Sequence, residues 1–153
     1  MKIAVGCDHA GYPLKKSVVE AICQAGHKVI DLGTHGTNPV DYPDYALKVG
    51  LAVVSHGAER GIMICGSGVG ASIALNKIES IYAALCHDVY SAHQSVEHDN
   101  ANVLCMGARV IEPDLASEIV MAFLGAHFLG NESGAQRHLR RFNKVRKFES
   151  GWL

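Results

Sequence analysis

Three short clusters carry side chains able to move protons or hold an anion. The first is Cys65-Gly66-Ser67-Gly68-Val69-Gly70, which follows an apolar run and precedes a helical one. Glycines let backbone approach a ligand, and N–H groups at a helix start favour negative charge. No Gly-Lys-Ser/Thr follows, so this is not a nucleotide-binding P-loop. The spacing also departs from the dinucleotide fingerprint, and no acidic residue ends the next strand. What remains is an oxyanion or phosphate cradle, or a tight strand-to-helix turn. A thiol at Cys65 would lie close enough to such N–H groups to supply a thiolate, although a strand-ending cysteine taken alone is more often inert and buried. Ser67 could donate a hydrogen bond to a developing oxyanion.

The second cluster is Asp8-His9, at the end of the first apolar run, where Asp8 could also serve as a helix cap. The third is His98-Asp99-Asn100, whose histidine could act as general acid or base near neutral pH. A basic C-terminal segment follows, with Arg137, Arg140, Arg141, Lys144, Arg146 and Lys147. Arg137 and Arg141 are four apart, hence on one helix face, and two guanidinium groups so placed can grip a phosphate dianion. The alternative is a solvated basic face. No His or carboxylate pair has ligand spacing on one helix face, so no metal site is expected.

These clusters need a scaffold, and the apolar pattern supplies one. Runs at Lys2–Cys7, Lys28–Leu32, Gly61–Cys65, Tyr82–Cys86 and Val103–Met106 read as strands. Helical spacing appears between them, over Leu14–Ala25, Tyr45–Ser55, Ala71–Lys77 and Tyr90–Glu97, and then from Pro113 to Leu124. Gly33–Asp44 and Gly125–Gly134 read as loops, and residues 135–149 as a basic helix. Near-continuous apolar strands separated by helices specify a parallel sheet covered on both faces. In such a doubly wound α/β fold, ligands bind at the carboxyl ends of the strands.

With 153 residues, 48% hydrophobic and 19% charged, the chain fits a single domain, 1–153, with a full core. Its formal net charge of −1 argues against nucleic-acid or anionic-membrane binding. No apolar run approaches the roughly 20 residues of a membrane span, and the N-terminus turns polar at Asp8. Cys7, Cys23, Cys65, Cys86 and Cys105 form no Cys-x-x-Cys pair, and free thiols without a secretory leader point to the cytoplasm.

Seven ordered motifs resemble the type B ribose-5-phosphate isomerases, a family that includes the galactose-6-phosphate isomerase subunits. They are Gly6-Cys7-Asp8-His9-Ala10-Gly11, Asp41-Tyr42-Pro43, Cys65 through Gly70, Asn76-Lys77, Glu97 through Leu104, Gly107-Ala108-Arg109, and Arg137-His138-x-x-Arg141. The resemblance implies a three-layer α/β/α Rossmann-like fold with a five-stranded parallel sheet and an extra C-terminal helix. It also implies a cofactor-free, metal-free aldose–ketose isomerase that interconverts ribose 5-phosphate and ribulose 5-phosphate through an enediolate.

Residue by residue, the resemblance makes Cys65 the base and gives Ser67 and the amides of Gly66, Gly68, Val69 and Gly70 to the enediolate. His98 would assist ring opening, Asp8 would bind hydroxyls, and His9, Arg109, Arg137 and Arg141 would hold the phosphate. The site would be shared across a homodimer, or a dimer of dimers, with the His98 and Arg109 region supplied by the partner chain. One branch of the family carries a Glu base where this chain has Ala71, so Cys65 assigns the chain to the Cys-base branch. The family often has His-Asn-Asp where this chain has His98-Asp99-Asn100, which makes Asp99 a candidate substrate contact. Two other readings stand beside the leading one. The same chemistry could act on allose 6-phosphate or galactose 6-phosphate, or the chain could bind a phosphosugar without turnover.

Overall fold

The computed structural model describes residues 1–149 and Gly151. Five strands form one all-parallel sheet: β1 (Lys2–Cys7), β2 (Lys28–Asp31), β3 (Arg60–Cys65), β4 (Ala83–Leu85) and β5 (Val103–Gly107). Their order across the sheet is β2-β1-β3-β5-β4. Helices α1 (Tyr12–Gln24), α2 (Tyr42–Val54), α3 (Val69–Leu75), α4 (Val89–Asp99) and α5 (Pro113–Gly125) connect or follow the strands, and α6 (Gln136–Arg146) closes the chain.

The order follows from the connections. The chain leaves β1 to form β2 on one side, then returns past β1 to form β3 on the other. A crevice therefore opens between the carboxyl ends of β1 and β3, the switch point where such sheets take ligands. From β3 the chain runs out to the far edge as β4 and comes back to insert β5 between β3 and β4.

Two apolar layers sandwich the sheet. On one face α1, α4 and α5 pack Val18, Ile22, Val96, Ile119 and Phe123 against Ile3, Val5, Ile62, Ile64 and Leu104. On the other, α2 and α3 pack Val49, Ala71 and Leu75 against Ala4, Met63, Val103 and Cys105. Alternate residues of β3 and β5 thus serve opposite layers, and both strands are buried on both faces.

Most boundaries shift by one to three residues from the sequence expectation, and three of these shifts have a clear local setting. Helix α2 begins at Tyr42, because Pro43 is compatible with a first turn, where its missing N–H is no loss. Helix α3 begins at Val69, directly after the left-handed Gly68 (φ 80°). Helix α6 ends at Arg146, and the i→i−3 bonds from the Phe148 and Glu149 N–H groups tighten the chain there. A 3-10 turn over Leu129–Asn131 lies within the expected loop.

At the free edge of the sheet, the Asn76 side chain stands in for a further strand. Its Nδ2 donates to the Ala83 carbonyl (2.8 Å) and its Oδ1 accepts from the Ala83 N–H (2.9 Å). Among the described residues, no helix is long and apolar enough to cross a membrane.

Candidate active site

The carboxyl ends of β1, β3 and β5 bring one group of candidates together. Cys65 ends β3 in register with Gly107 of β5, and the Ala108 and Arg109 N–H groups donate to the Cys65 and Gly66 carbonyls (2.9 and 3.0 Å). The Cys65 thiol is buried and accepts a hydrogen bond from the Gly68 N–H at 3.0 Å. That bond exists because Gly68 turns the chain back at positive φ, where its missing Cβ leaves room for Leu85. A backbone donor aimed at sulfur is what a thiolate needs.

At three other buried thiols, desolvation outweighs any nearby donor and favours the protonated form. Burial pushes Cys7 and Cys86 up to about 11, and pushes Cys105 well above its ordinary value. Cys23 is exposed on α1.

Around Cys65, the loop is fixed by close backbone approaches. A side chain at Gly107 would place its Cβ 2.5 Å from the Ser67 carbonyl carbon, so β5 presses directly on the loop. Ser67 is exposed, and its Oγ accepts from the Val69 N–H at 3.4 Å. The first-turn N–H groups of α3, including that of Gly70, have no acceptor within the helix.

Across the crevice, Asp8 is bonded to the end of β3 through its own N–H, which donates to the Ile64 carbonyl (3.2 Å). Its Oδ1 accepts from the Gly11 N–H (2.8 Å) in the turn before α1, whose N-cap is Gly11 and not Asp8 as the sequence allowed, and this leaves Oδ2 available. His9 Nδ1 lies 3.2 Å from both the N–H and the carbonyl oxygen of Val40, which ties the ring to the loop before α2. Lys15, almost fully buried, secures the loop between β2 and α2 by donating to Asp31 Oδ2 (2.9 Å) and the Thr34 carbonyl (2.8 Å).

Arg109 belongs to this same group. Its guanidinium carbon lies 3.6 Å from the point where a Gly66 Cβ would stand. Within one molecule Arg109 therefore stands beside Gly66 and apart from His98. β5 runs parallel to β3, so whatever follows it emerges at the Cys65 edge of the same molecule.

The remaining candidates lie at the opposite edge. Helix α4 starts near the carboxyl end of β4 and runs back, so His98 and Asp99 come at its far end, about 14 Å along the helix axis from Val89. There His98 stacks on His138 of α6, with ring centroids 4.1 Å apart and planes at 21°. Arg141 joins Asp99, Tyr82 and Phe142 around a small cavity, and Arg137 donates to the Gly134 carbonyl (3.2 Å). Phe142 is seated against Tyr82 and Phe128, which fixes α6 at the amino end of β4. The four phosphate candidates are thereby split, with His9 and Arg109 at one edge and Arg137 and Arg141 at the other.

Two further residues at the Cys65 edge had no role assigned from sequence. The Tyr42 ring lies over Gly70, its hydroxyl 3.0 Å from where a Cβ would be. His87 Nε2 accepts the Gly107 N–H at 3.0 Å. Asp41-Tyr42-Pro43 was visible as a motif, whereas His87 shows only as a residue just beyond a strand end.

Fold and crevice together define a doubly wound α/β protein with a small-molecule site at its switch point. The sequence pattern of the ribose/galactose isomerases matches residues 3–145, and the chain belongs to that family. It is 45% identical over 148 residues to ribose-5-phosphate isomerase B of Escherichia coli, covering 97% of this chain and 96% of that one. It superposes on the Clostridium thermocellum ribose-5-phosphate isomerase B with a TM-score of 0.93 at 46% identity, covering all of both chains. The Mycoplasma genitalium ribose-5-phosphate isomerase B with bound ribulose-5-phosphate gives a TM-score of 0.90 at 37% identity, covering 98% of this chain and 97% of that one.

Proposed function

We propose that this chain interconverts ribose 5-phosphate and ribulose 5-phosphate, with Cys65 as the base. The observation that carries this reading is the Cys65 thiol at the switch point, facing the Gly68 N–H at 3.0 Å. The relatives named above bear that activity in their names.

In the open-chain aldose, the thiolate takes the C2 proton. The C–H electron pair forms the C1=C2 bond and the carbonyl pair moves onto O1. Ser67 Oγ and the loop N–H groups stabilise that oxyanion. The O2 proton passes to O1, and the proton held on sulfur returns at C1 to leave the ketose. Asp8 Oδ2 orients hydroxyls, His98 assists ring opening, and Asp99 is a candidate hydroxyl contact. The cationic side chains hold the phosphate, which orients the sugar and supplies binding energy remote from the reacting carbons.

A complete site on this reading takes two chains. Within one molecule His98, Arg137 and Arg141 are separated from Cys65, His9 and Arg109 by the depth of the sheet. A second copy would bring its amino-edge group over the Cys65 crevice. The surface around that crevice suits such docking, since Val69, Ile73, Leu85, Val89 and Tyr90 are exposed apolar side chains grouped around the loop and the end of β4. All five cysteines are free, in keeping with a reducing, cytoplasmic setting.

The test is a coupled assay of ribulose formation with the wild type and Cys65→Ala. Turnover that disappears in the variant while ribose 5-phosphate binding persists supports the reading; near-normal turnover overturns the base assignment. Binding without turnover in the wild type would leave a phosphosugar sensor. Comparing kcat/KM on ribose 5-phosphate and allose 6-phosphate decides the sugar length.

A further inference from the structure

We propose that Gln94 is a positioning residue for His98, fixing the imidazole as the Nε2–H tautomer so that its outward edge is a hydrogen-bond donor to the sugar. The proposal rests on the reading of His98 as the ring-opening group.

Gln94 and His98 lie one turn apart on α4, and the Gln94 amide nitrogen is 3.0 Å from His98 Nδ1. Which end of the amide faces the ring follows from Asp99. The same nitrogen lies 3.5 Å from Asp99 Oδ2, and a carboxylate accepts an N–H but repels a carbonyl oxygen. A donor on Nδ1 requires that nitrogen to be the acceptor, and the ring proton of a neutral His98 then sits on Nε2.

His138 keeps the ring in this plane from the other side. It is buried to 3% exposure and stacks on His98, and its own Nε2 has no hydrogen-bond partner among the described residues. The charged groups around the pair are Asp99 on α4 and Arg137 and Arg141 on α6. With Nδ1 engaged by the amide, a neutral His98 offers its one N–H to the ring oxygen as charge gathers there during opening, the role a neutral imidazole can fill as an electrophile.

The test inverts the donor without changing the shape. Gln94→Glu presents an acceptor to Nδ1 and should move the neutral-ring proton there, while Gln94→Met removes any preference. Long-range 15N–1H correlation spectra of the full chain, with the His98 signals identified by their loss in His98→Asn, read the tautomer directly. The expected result is Nε2–H in the wild type, Nδ1–H in Gln94→Glu and a mixture in Gln94→Met.

In kinetics, ribose 5-phosphate turnover should fall at least tenfold in Gln94→Glu. Solvent-deuterium exchange into ribulose 5-phosphate, which is already acyclic, should stay within twofold. An unchanged tautomer in Gln94→Glu, or equal losses in turnover and exchange, overturns the proposal. Absence of isomerase activity in the wild type would instead defeat the proposed function, and the spectra would still decide the tautomer.

Discussion

Mixing two inactive variants should restore activity, because each would damage a different edge of the molecule. Cys65→Ala removes the proposed base at the carboxyl edge, and His98→Asn removes the ring-opening group at the amino edge. His98 sits about 14 Å down α4 from the crevice side, whereas reacting groups must come within about 3.5 Å of one another. In a two-fold dimer with shared sites, a mixed pair holds one site with both substitutions and one with neither. Random exchange of equal amounts makes about half of the dimers mixed, so about one quarter of wild-type turnover returns. The assay is ribulose formation before and after mixing under conditions that allow subunit exchange, with mixed dimers verified by differently tagged chains. A mixture that contains verified mixed dimers and stays inactive would refute a site shared between chains.

Other outcomes follow from single contacts. Gly107→Ala should cost about 1–3 kcal/mol in urea denaturation and raise KM, because its Cβ would drive into the Ser67 backbone. Iodoacetamide at about pH 8 should label Cys23 and leave Cys7, Cys86 and Cys105 unmodified by peptide mapping, since burial keeps those three thiols protonated. Burial, with His98, Arg137 and Arg141 adding to it, holds the His138 imidazole below its ordinary range. The unfolded chain therefore takes up that proton first, and stability falls as pH drops from about 6.5 toward the lower native value. Thermal melts across that window should be less steep in pH for His138→Gln than for the wild type.

The strands were legible because β1, β3 and β5 are buried on both faces and so leave unbroken apolar runs such as Ile62-Met63-Ile64. The Cys65–Gly70 turn was legible for the same reason, since glycines directly after such a run have few other uses. The grouping of site residues was less so. Strand order depends on which crossover inserts where, and nothing local in the sequence says that β5 lies between β3 and β4. Without that order, Arg109 could not be placed beside Gly66, nor His98 at the far edge. Gln94 and His87 escaped notice because each acts through one contact to a residue already singled out, and a single polar side chain carries no periodic signal.

The carboxamide of Asn76 matters beyond the edge it covers. An uncovered strand is a template on which another chain can extend the sheet, the route to swapped or aggregated forms. By engaging both outward polar groups of Ala83, Asn76 blocks ladder extension at that residue, so a second chain approaching this part of β4 would meet a side chain and not a free backbone pair.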